Sequence, residues 1–306
     1  MKLLITGGGG MVGRNLRAHP GLADWGVFSP GSAELDLTDT AATFAYFQRL
    51  RPDFVIHCAG KVGGIQANIA APVDFLTLNT DMGRNVILAA RAAGVKSLLN
   101  LASSCIYPRF GHNPLSEDMV LGGELEPTNE GYAIAKIFAL RLCQYVQRED
   151  PSLHYKTFIP CNLYGPFDHF DPKSSHLVPA VIRKVHDAKV QGLDTVEIWG
   201  DGTARREFMY AGDLAEAMVK AVGDFPAVPD IMNVGLGFDY SINDYYAAVA
   251  QVIGWSGRFV HDTTKPVGMK QKLVDVSRQT TWGFAPATAL HDGIAKTYAY
   301  FLETAA

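Results

Sequence analysis

The first thirteen residues constrain this chain's fold more than any other stretch. The apolar run Lys2–Ile5 leads directly into Thr6-Gly7-Gly8-Gly9-Gly10-Met11-Val12-Gly13. A strand that empties into a glycine-rich turn and then a helix brings backbone N–H groups and the positive helix end close to a pyrophosphate. Gly7, Gly10 and Gly13 present no side chain to block that approach, so the spacing predicts a nucleotide-binding first β–α unit.

The following pattern suits that start. Short apolar runs at Lys2–Ile5, Gly26–Phe28, Phe54–Cys58, Ser97–Leu101 and Thr157–Ile159 predict strands. Helical spacing over Gly13–His19, Thr40–Leu50, Asn79–Ala93 and Tyr132–Glu149 predicts the elements between them, and Pro127-Thr128-Asn129-Glu130 supplies polar residues for the last helix start. Near-continuous apolar strands separated by helices mean a parallel sheet covered on both faces. From about residue 165 the pattern loosens, punctuated by Gly165-Pro166, Asp171-Pro172 and Gly200-Asp201-Gly202. The expected fold is α/β, a Rossmann-type doubly wound parallel sheet with a smaller C-terminal α/β substrate domain. The dinucleotide-binding domain spans 1–164, with returning segments from the C-terminal half, and 165–306 is mainly substrate-binding, laid over the sheet's carboxyl edge.

A chain of 306 residues, 48% hydrophobic, fills a substantial core. Its formal net charge of −4 gives no general attraction to nucleic acid or to an anionic membrane, so neither is an expected partner. An anionic ligand must then meet a local cationic cluster. Cys58, Cys105, Cys143 and Cys161 lack metal-finger spacing and sit in apolar segments, which points to buried thiols, no metal, and a reducing compartment. The sequence opens on a strand with no charged leader and holds no membrane-length apolar run, so a cytoplasmic location is expected.

A dinucleotide site places its discriminator for the adenosine ribose at the tip of the second strand, here Phe28-Ser29-Pro30. A carboxylate there accepts from a free 2′-hydroxyl and repels a 2′-phosphate. None is present, which favours NADP(H), although Ser29 and Ser32 offer only hydroxyls and the sequence shows no arginine that answers the phosphate. Further on, Asp36 and Asp39 either meet the adenine edge or cap the helix beginning near Thr40.

Tyr132 and Lys136 stand four residues apart on a predicted helix, so both project from one face. An ammonium beside a phenol favours the phenolate, which would lower the tyrosine below its reference pKa of about 10 and make it a proton donor near neutrality. Leu101-Ala102-Ser103-Ser104-Cys105-Ile106-Tyr107-Pro108 ends the fourth predicted strand at the ligand edge, where the Ser103 hydroxyl can meet a substrate carbonyl oxygen.

The set Thr-Gly-x-x-Gly-x-x-Gly, Ser103 and Tyr132-Ala133-Ile134-Ala135-Lys136 resembles the extended short-chain dehydrogenase/reductases. Lys61-Val62-Gly63-Gly64-Ile65, Ser103 to Pro108, Glu126-Pro127-Thr128-Asn129-Glu130, Asn162-Leu163-Tyr164-Gly165-Pro166, Ser175-His176-Leu177-Val178-Pro179 and Arg206-Glu207-Phe208 narrow the resemblance to the GDP-L-fucose synthase family, in the same order from residue 1 to about 300. The resemblance implies epimerisation of GDP-4-keto-6-deoxy-D-mannose at C3 and C5, reduction at C4 with NADPH, and a homodimer built on paired helices that include the Tyr132 helix. A GDP-colitose or GDP-deoxyheptose type of reductase or epimerase is the nearest alternative.

By the same resemblance, Ser103, Tyr132 and Lys136 serve reduction, while Cys105 and His176 are the epimerisation base and acid. NADP(H) would be held by Gly7, Gly10, Met11, Val12, Gly13, Asp36, Leu37, Leu101, Ala102, Ser103, Lys136, Pro160, Asn162, Leu163 and His176. A C4 ketone acidifies the hydrogens on both C3 and C5, and the enolate's charge would fall against Ser103 and Tyr132. Cysteine near a cation supplies thiolate and histidine titrates near neutrality, so both suit proton exchange at carbon. A nucleotide sugar also needs cations and a flat surface, offered by Lys184, Trp199, Arg206 and Lys272. Three positions depart from the family pattern: Lys184 stands where arginine is frequent, Val267 where an aspartate is expected, and Gly9 where some members are basic.

Overall fold

A computed structural model describes residues 1–171, 175–265 and 269–305; the departure at Val267 lies outside them. Strands are β1 (Lys2–Thr6), β2 (Gly26–Phe28), β3 (Phe54–His57), β4 (Ser97–Leu101), β5 (His154–Pro160), β6 (Asn162–Tyr164), β7 (Thr195–Trp199), β8 (Arg205–Arg206), β9 (Phe208–Tyr210), β10 (Ile231–Val234), β11 (Tyr240–Ser241), β12 (Arg258–Asp262) and β13 (Gln271–Lys272). Helices are α1 (Met11–Arg17), α2 (Thr40–Leu50), α3 (Ile65–Ala70), α4 (Pro72–Ala92), α5 (Glu130–Glu149), α6 (Leu177–Val190), α7 (Ala211–Gly223), α8 (Ile242–Ile253), α9 (Ser277–Thr281) and α10 (Leu290–Ala305).

Six strands form one parallel sheet in the order β10-β5-β4-β3-β1-β2. The five expected strands are present, so the doubly wound reading holds. β10 is not among the strands named from the sequence, and it is a segment by which the chain returns from its second half to complete the sheet. α4 begins at Pro72, two turns before its expected start: proline suits a first helical position because its missing N–H has no helical acceptor there. α5 begins at Glu130 after a 3₁₀ turn over Pro127–Asn129 and lacks a side-chain cap.

Alternate residues of each strand enter opposite cores, as a pleated ribbon requires. Leu3, Ile5, Ile56, Leu99, Leu101 and Phe158 face one side, with α7 residues such as Leu214 and Met218. Leu4, Val55, Leu98 and Tyr155 face the other, with Val86 of α4 and Cys143 of α5. A third core joins α6, α8 and α10 to β7. None of the described helices is long and apolar enough to cross a membrane.

Strand order reverses between β1 and β3, and a crevice opens at their carboxyl ends. Gly7 turns there with φ +73°, and a Cβ on it would lie 2.5 Å from the backbone N and Cα of Ala59. A Cβ on Gly13 would lie 2.4 Å from the Gly7 carbonyl. These two glycines are demanded by the packing of the turn on itself and on the segment after β3. Gly9, in contrast, meets open space. Gly7→Ala is therefore expected to cost about 2 kcal/mol or more, because it combines a strained φ with a backbone clash, while Gly9→Ala costs little; thermal unfolding of the two variants checks this.

Candidate active site

β4 delivers Leu101 and Ala102 to the carboxyl edge, and a 3₁₀ turn over Ser104–Ile106 then folds back against α5. Ser103 precedes that turn, and its Oγ accepts from the Cys105 N–H at 3.4 Å. Cys105 is buried, only 6% exposed. On α5, Tyr132 packs edge-on against Phe75, and the Lys136 ammonium lies 5.7 Å from the Tyr132 ring centre while donating to the Leu101 carbonyl at 3.0 Å. That bond ties the helix bearing the phenol to the strand bearing the serine and thiol. Asn79 of α4 holds the approaching loop from the other side, accepting from Lys61 N at 2.9 Å and donating to its carbonyl at 3.1 Å. A Cβ at Gly60 would meet the Asn79 Oδ1 at 2.9 Å and the Lys136 Nζ at 3.5 Å, so this loop lies directly on the lysine.

Burial dominates the electrostatics. It pushes the Cys105 thiol up, opposed first by the Lys272 ammonium, then by a hydrogen bond to Ser103, then by Lys136. It pushes the Lys136 and Lys272 ammoniums down, each opposed first by Cys105. Tyr132 is raised by burial and further by Cys105. The expectation that Lys136 lowers the phenol is thus overturned: desolvation of a phenolate outweighs a cation whose end is spent on a carbonyl. A raised phenol is still a proton donor, since it stays protonated while an alkoxide forms beside it. His176 occupies the N-cap of α6, lowered by burial and by His169. Cys105 is not among the groups acting on it. These directions leave both members of the expected epimerisation pair neutral at rest, and Lys272 is the strongest group acting to ionise the thiol.

Lys272 reaches this cluster because β13 runs beside β8, with Lys272 opposite Arg206. Glu207, given no role in the sequence reading, holds this arrangement. Its carboxylate accepts from Leu236 N at 2.6 Å, Gly237 N at 3.0 Å and Val274 N at 2.9 Å, joining the segment after β10 to the segment after β13. Asn113 adds a contact, accepting from Leu273 N at 2.8 Å. The other two expected substrate residues lie elsewhere. Lys184 and Trp199 line a cavity of about 610 Å³ between α6, β7 and α8. Trp199 is 56% exposed, with Lys265 over its ring, and Lys184 donates to the Glu197 carbonyl.

The turn fits a dinucleotide: Gly9 and Gly10 are exposed, with open space over Gly9, at the start of α1. Met11 and Val12 begin that helix, partly buried. Leu101 and Ala102 are buried at the end of β4, and Pro160, Asn162 and Leu163 follow at the end of β5 and in β6. Asn162 donates to the Glu207 carbonyl at 3.0 Å. Asp36 accepts from Thr38 N and Oγ1, and Leu37 is buried, while Asp39 takes the capping role by accepting from Ala42 N at 2.9 Å. Burial pushes Cys58 up to about 12 and His57 down to about 3; His57 shares a 2.7 Å hydrogen bond with Thr6.

A family model described as the NAD dependent epimerase/dehydratase family matches residues 3–235. The chain belongs to this family. Within it, the chain is 50% identical over 303 residues to a GDP-L-colitose synthase of Yersinia pseudotuberculosis, covering 99% of this chain and 98% of the relative. It is also 50% identical over 301 residues to a GDP-L-fucose synthase of Azorhizobium caulinodans, covering 98% and 96%. Among solved structures, a Campylobacter jejuni GDP-mannoheptose C4 reductase with NADP bound superposes with a TM-score of 0.89 at 29% identity, covering 98% of both chains. The resemblance read from the motifs is borne out by these relatives.

Burial raises Glu207 from its ordinary value of 4.5 to about 7. The folded chain therefore binds this proton more tightly than the unfolded one, so the stability it contributes is full below pH 4.5 and lost as pH rises through about 7. Glu207→Gln is expected to be less stable at every pH, since one carbonyl oxygen cannot serve three N–H donors, and to lose that downward slope. Thermal melts at several pH values across this window check it.

Proposed function

We propose that this chain is an NADP(H)-dependent epimerase-reductase that converts GDP-4-keto-6-deoxy-D-mannose to GDP-L-fucose by inverting C3 and C5 and reducing C4. The observation that supports this reading most is the cluster of Ser103, Cys105, Tyr132, Lys136 and Lys272 at the carboxyl end of β4. When bound, NADPH supplies the hydride. The glycine turn, Leu101, Ala102, Pro160, Asn162, Leu163 and His176 would hold it against the sheet edge, with Asp36 and Leu37 toward its adenine end.

Cys105, as thiolate, takes the proton from carbon, and the electron pair moves onto the C4 oxygen as an enolate. The Ser103 and Tyr132 hydroxyls face that oxygen. His176, protonated, returns a proton on the opposite face, which inverts the centre. The ketone reforms with the abstracted proton on Cys105 and His176 neutral; loss of the thiol proton to solvent and uptake of one by the imidazole reset the pair, and the same residues then serve the second centre. In the final step Tyr132 gives its proton to the C4 alkoxide. Lys136 positions the phenol through its bond to the Leu101 carbonyl. Lys272 and Arg206 bring cations to the substrate's diphosphate, and Lys184 with Trp199 receives the base in the cavity they line. In this reading residues 1–164 with β10 hold the cofactor and 165–306 mainly the sugar nucleotide. Four unpaired cysteines suit a reducing, cytoplasmic setting.

The equal identity to a GDP-L-colitose synthase favours one alternative, a related 4-keto sugar nucleotide. NMR of the products from several GDP-4-keto sugars separates the two. Cys105→Ser is expected to abolish exchange of the C3 and C5 hydrogens with deuterated water, and Tyr132→Phe to lower C4 reduction by a factor on the order of a hundred or more. Wild-type exchange in Cys105→Ser would overturn the base assignment.

A homodimer completes the proposal. Ile134, Phe138 and Tyr145 recur at helical spacing on the outer face of α5, and Val73 is 69% exposed on the adjoining α4. Such a stripe suits a second copy of the same helix pair. Phe138→Asp is expected to shift the protein toward monomer in sedimentation velocity.

A further inference from the structure

The sequence leaves the 2′-phosphate of the proposed cofactor without a cation, and the folded chain supplies one. Arg17 ends α1, and its Nη1 donates to the Gly8 carbonyl at 3.3 Å. Gly8 lies two residues past the end of β1, beside the tip of β2. A Cβ placed on Gly8 would lie 1.7 Å from the Ser29 Oγ and 3.1 Å from the Arg17 Cδ, so both side chains converge over the same glycine. The Ser29 Oγ is buried and hydrogen-bonds to no described residue. Arg17 forms no ion pair with a described residue, whereas Arg14, one turn earlier, is turned away with its guanidinium 4.0 Å over the Phe167 ring. An exposed guanidinium and an unpartnered hydroxyl therefore flank a glycine whose missing side chain leaves room for both, at a strand tip that carries no carboxylate.

We infer that Arg17 and Ser29 together recognise the 2′-phosphate of the adenosine ribose and set the preference for NADP(H) over NAD(H). Arg17 offers a planar fork matched to a phosphate, and Ser29 a hydroxyl whose burial costs free energy until an acceptor meets it. Gly8 is the space between them. The inference rests on the cofactor reading above, and it assigns the selectivity to residues outside the glycine spacing itself.

Calorimetric binding of 2′,5′-ADP and 5′-AMP tests it without turnover. Wild type is expected to prefer 2′,5′-ADP, with a preference that weakens as salt is raised. Arg17→Met is expected to lower the affinity for 2′,5′-ADP about tenfold or more while leaving 5′-AMP within twofold, and Arg17→Lys to recover only part of it. Ser29→Asp, which puts a carboxylate at the tip, is expected to reverse the preference. A wild type that binds both nucleotides equally overturns the NADP(H) reading and this inference with it. A wild-type preference that survives in Arg17→Met, or equal losses for both nucleotides, overturns the assignment to Arg17 alone.

Discussion

The approach of Gly7 to Ala59 governs the rest of this structure. Two parallel strands whose helical crossovers leave in opposite directions open a crevice at their carboxyl ends, and the backbone turning out of β1 must clear the backbone leaving β3. At 2.5 Å from a hypothetical Cβ, nothing larger than hydrogen fits, and the left-handed φ at Gly7 excludes other residues a second time. Every functional group described above is placed relative to that crevice: Gly9 and Gly10 above it, Ser29 and Arg17 on one flank, and Lys136 with the Leu101 carbonyl on the other.

Within the crevice, desolvation and charge work against each other. Cys105 is close enough for its charge to act on Tyr132, Lys136 and Lys272, yet burial favours the neutral form of all four. In the proposed reaction neutrality suits Tyr132, which keeps its proton until an alkoxide forms, and opposes Cys105, which has to lose one. The second half of the chain answers this by bringing Lys272 alongside, on a strand followed two residues later by Val274, whose N–H donates to the Glu207 carboxylate.

The C-terminal half thus contributes to the sheet and the Cys105 cluster as well as to the proposed substrate region. β10 extends the sheet, α7 fills one of its cores, and the Glu207 carboxylate joins the segment after β10 to the segment after β13. Lys184 and Trp199 line a separate cavity between α6, β7 and α8.

Local spacing was enough for the glycine turn, the five leading strands, and the Tyr132 and Lys136 pair, because each depends on residues within one turn or one strand of each other. Ordered motifs were enough for the family. The pairing of Ser29 with Arg17, the reach of Lys272 to Cys105, and the three N–H donors on Glu207 were not legible, since each joins segments separated by many residues. The phenol's raised pKa was also hidden, because its cause is the volume of protein around it and not its neighbour four residues on. Sequence alone determined which chemistry the chain can present at its sheet edge. The tertiary structure decided which groups meet, because contact between distant segments and exclusion of water exist only once the chain is packed.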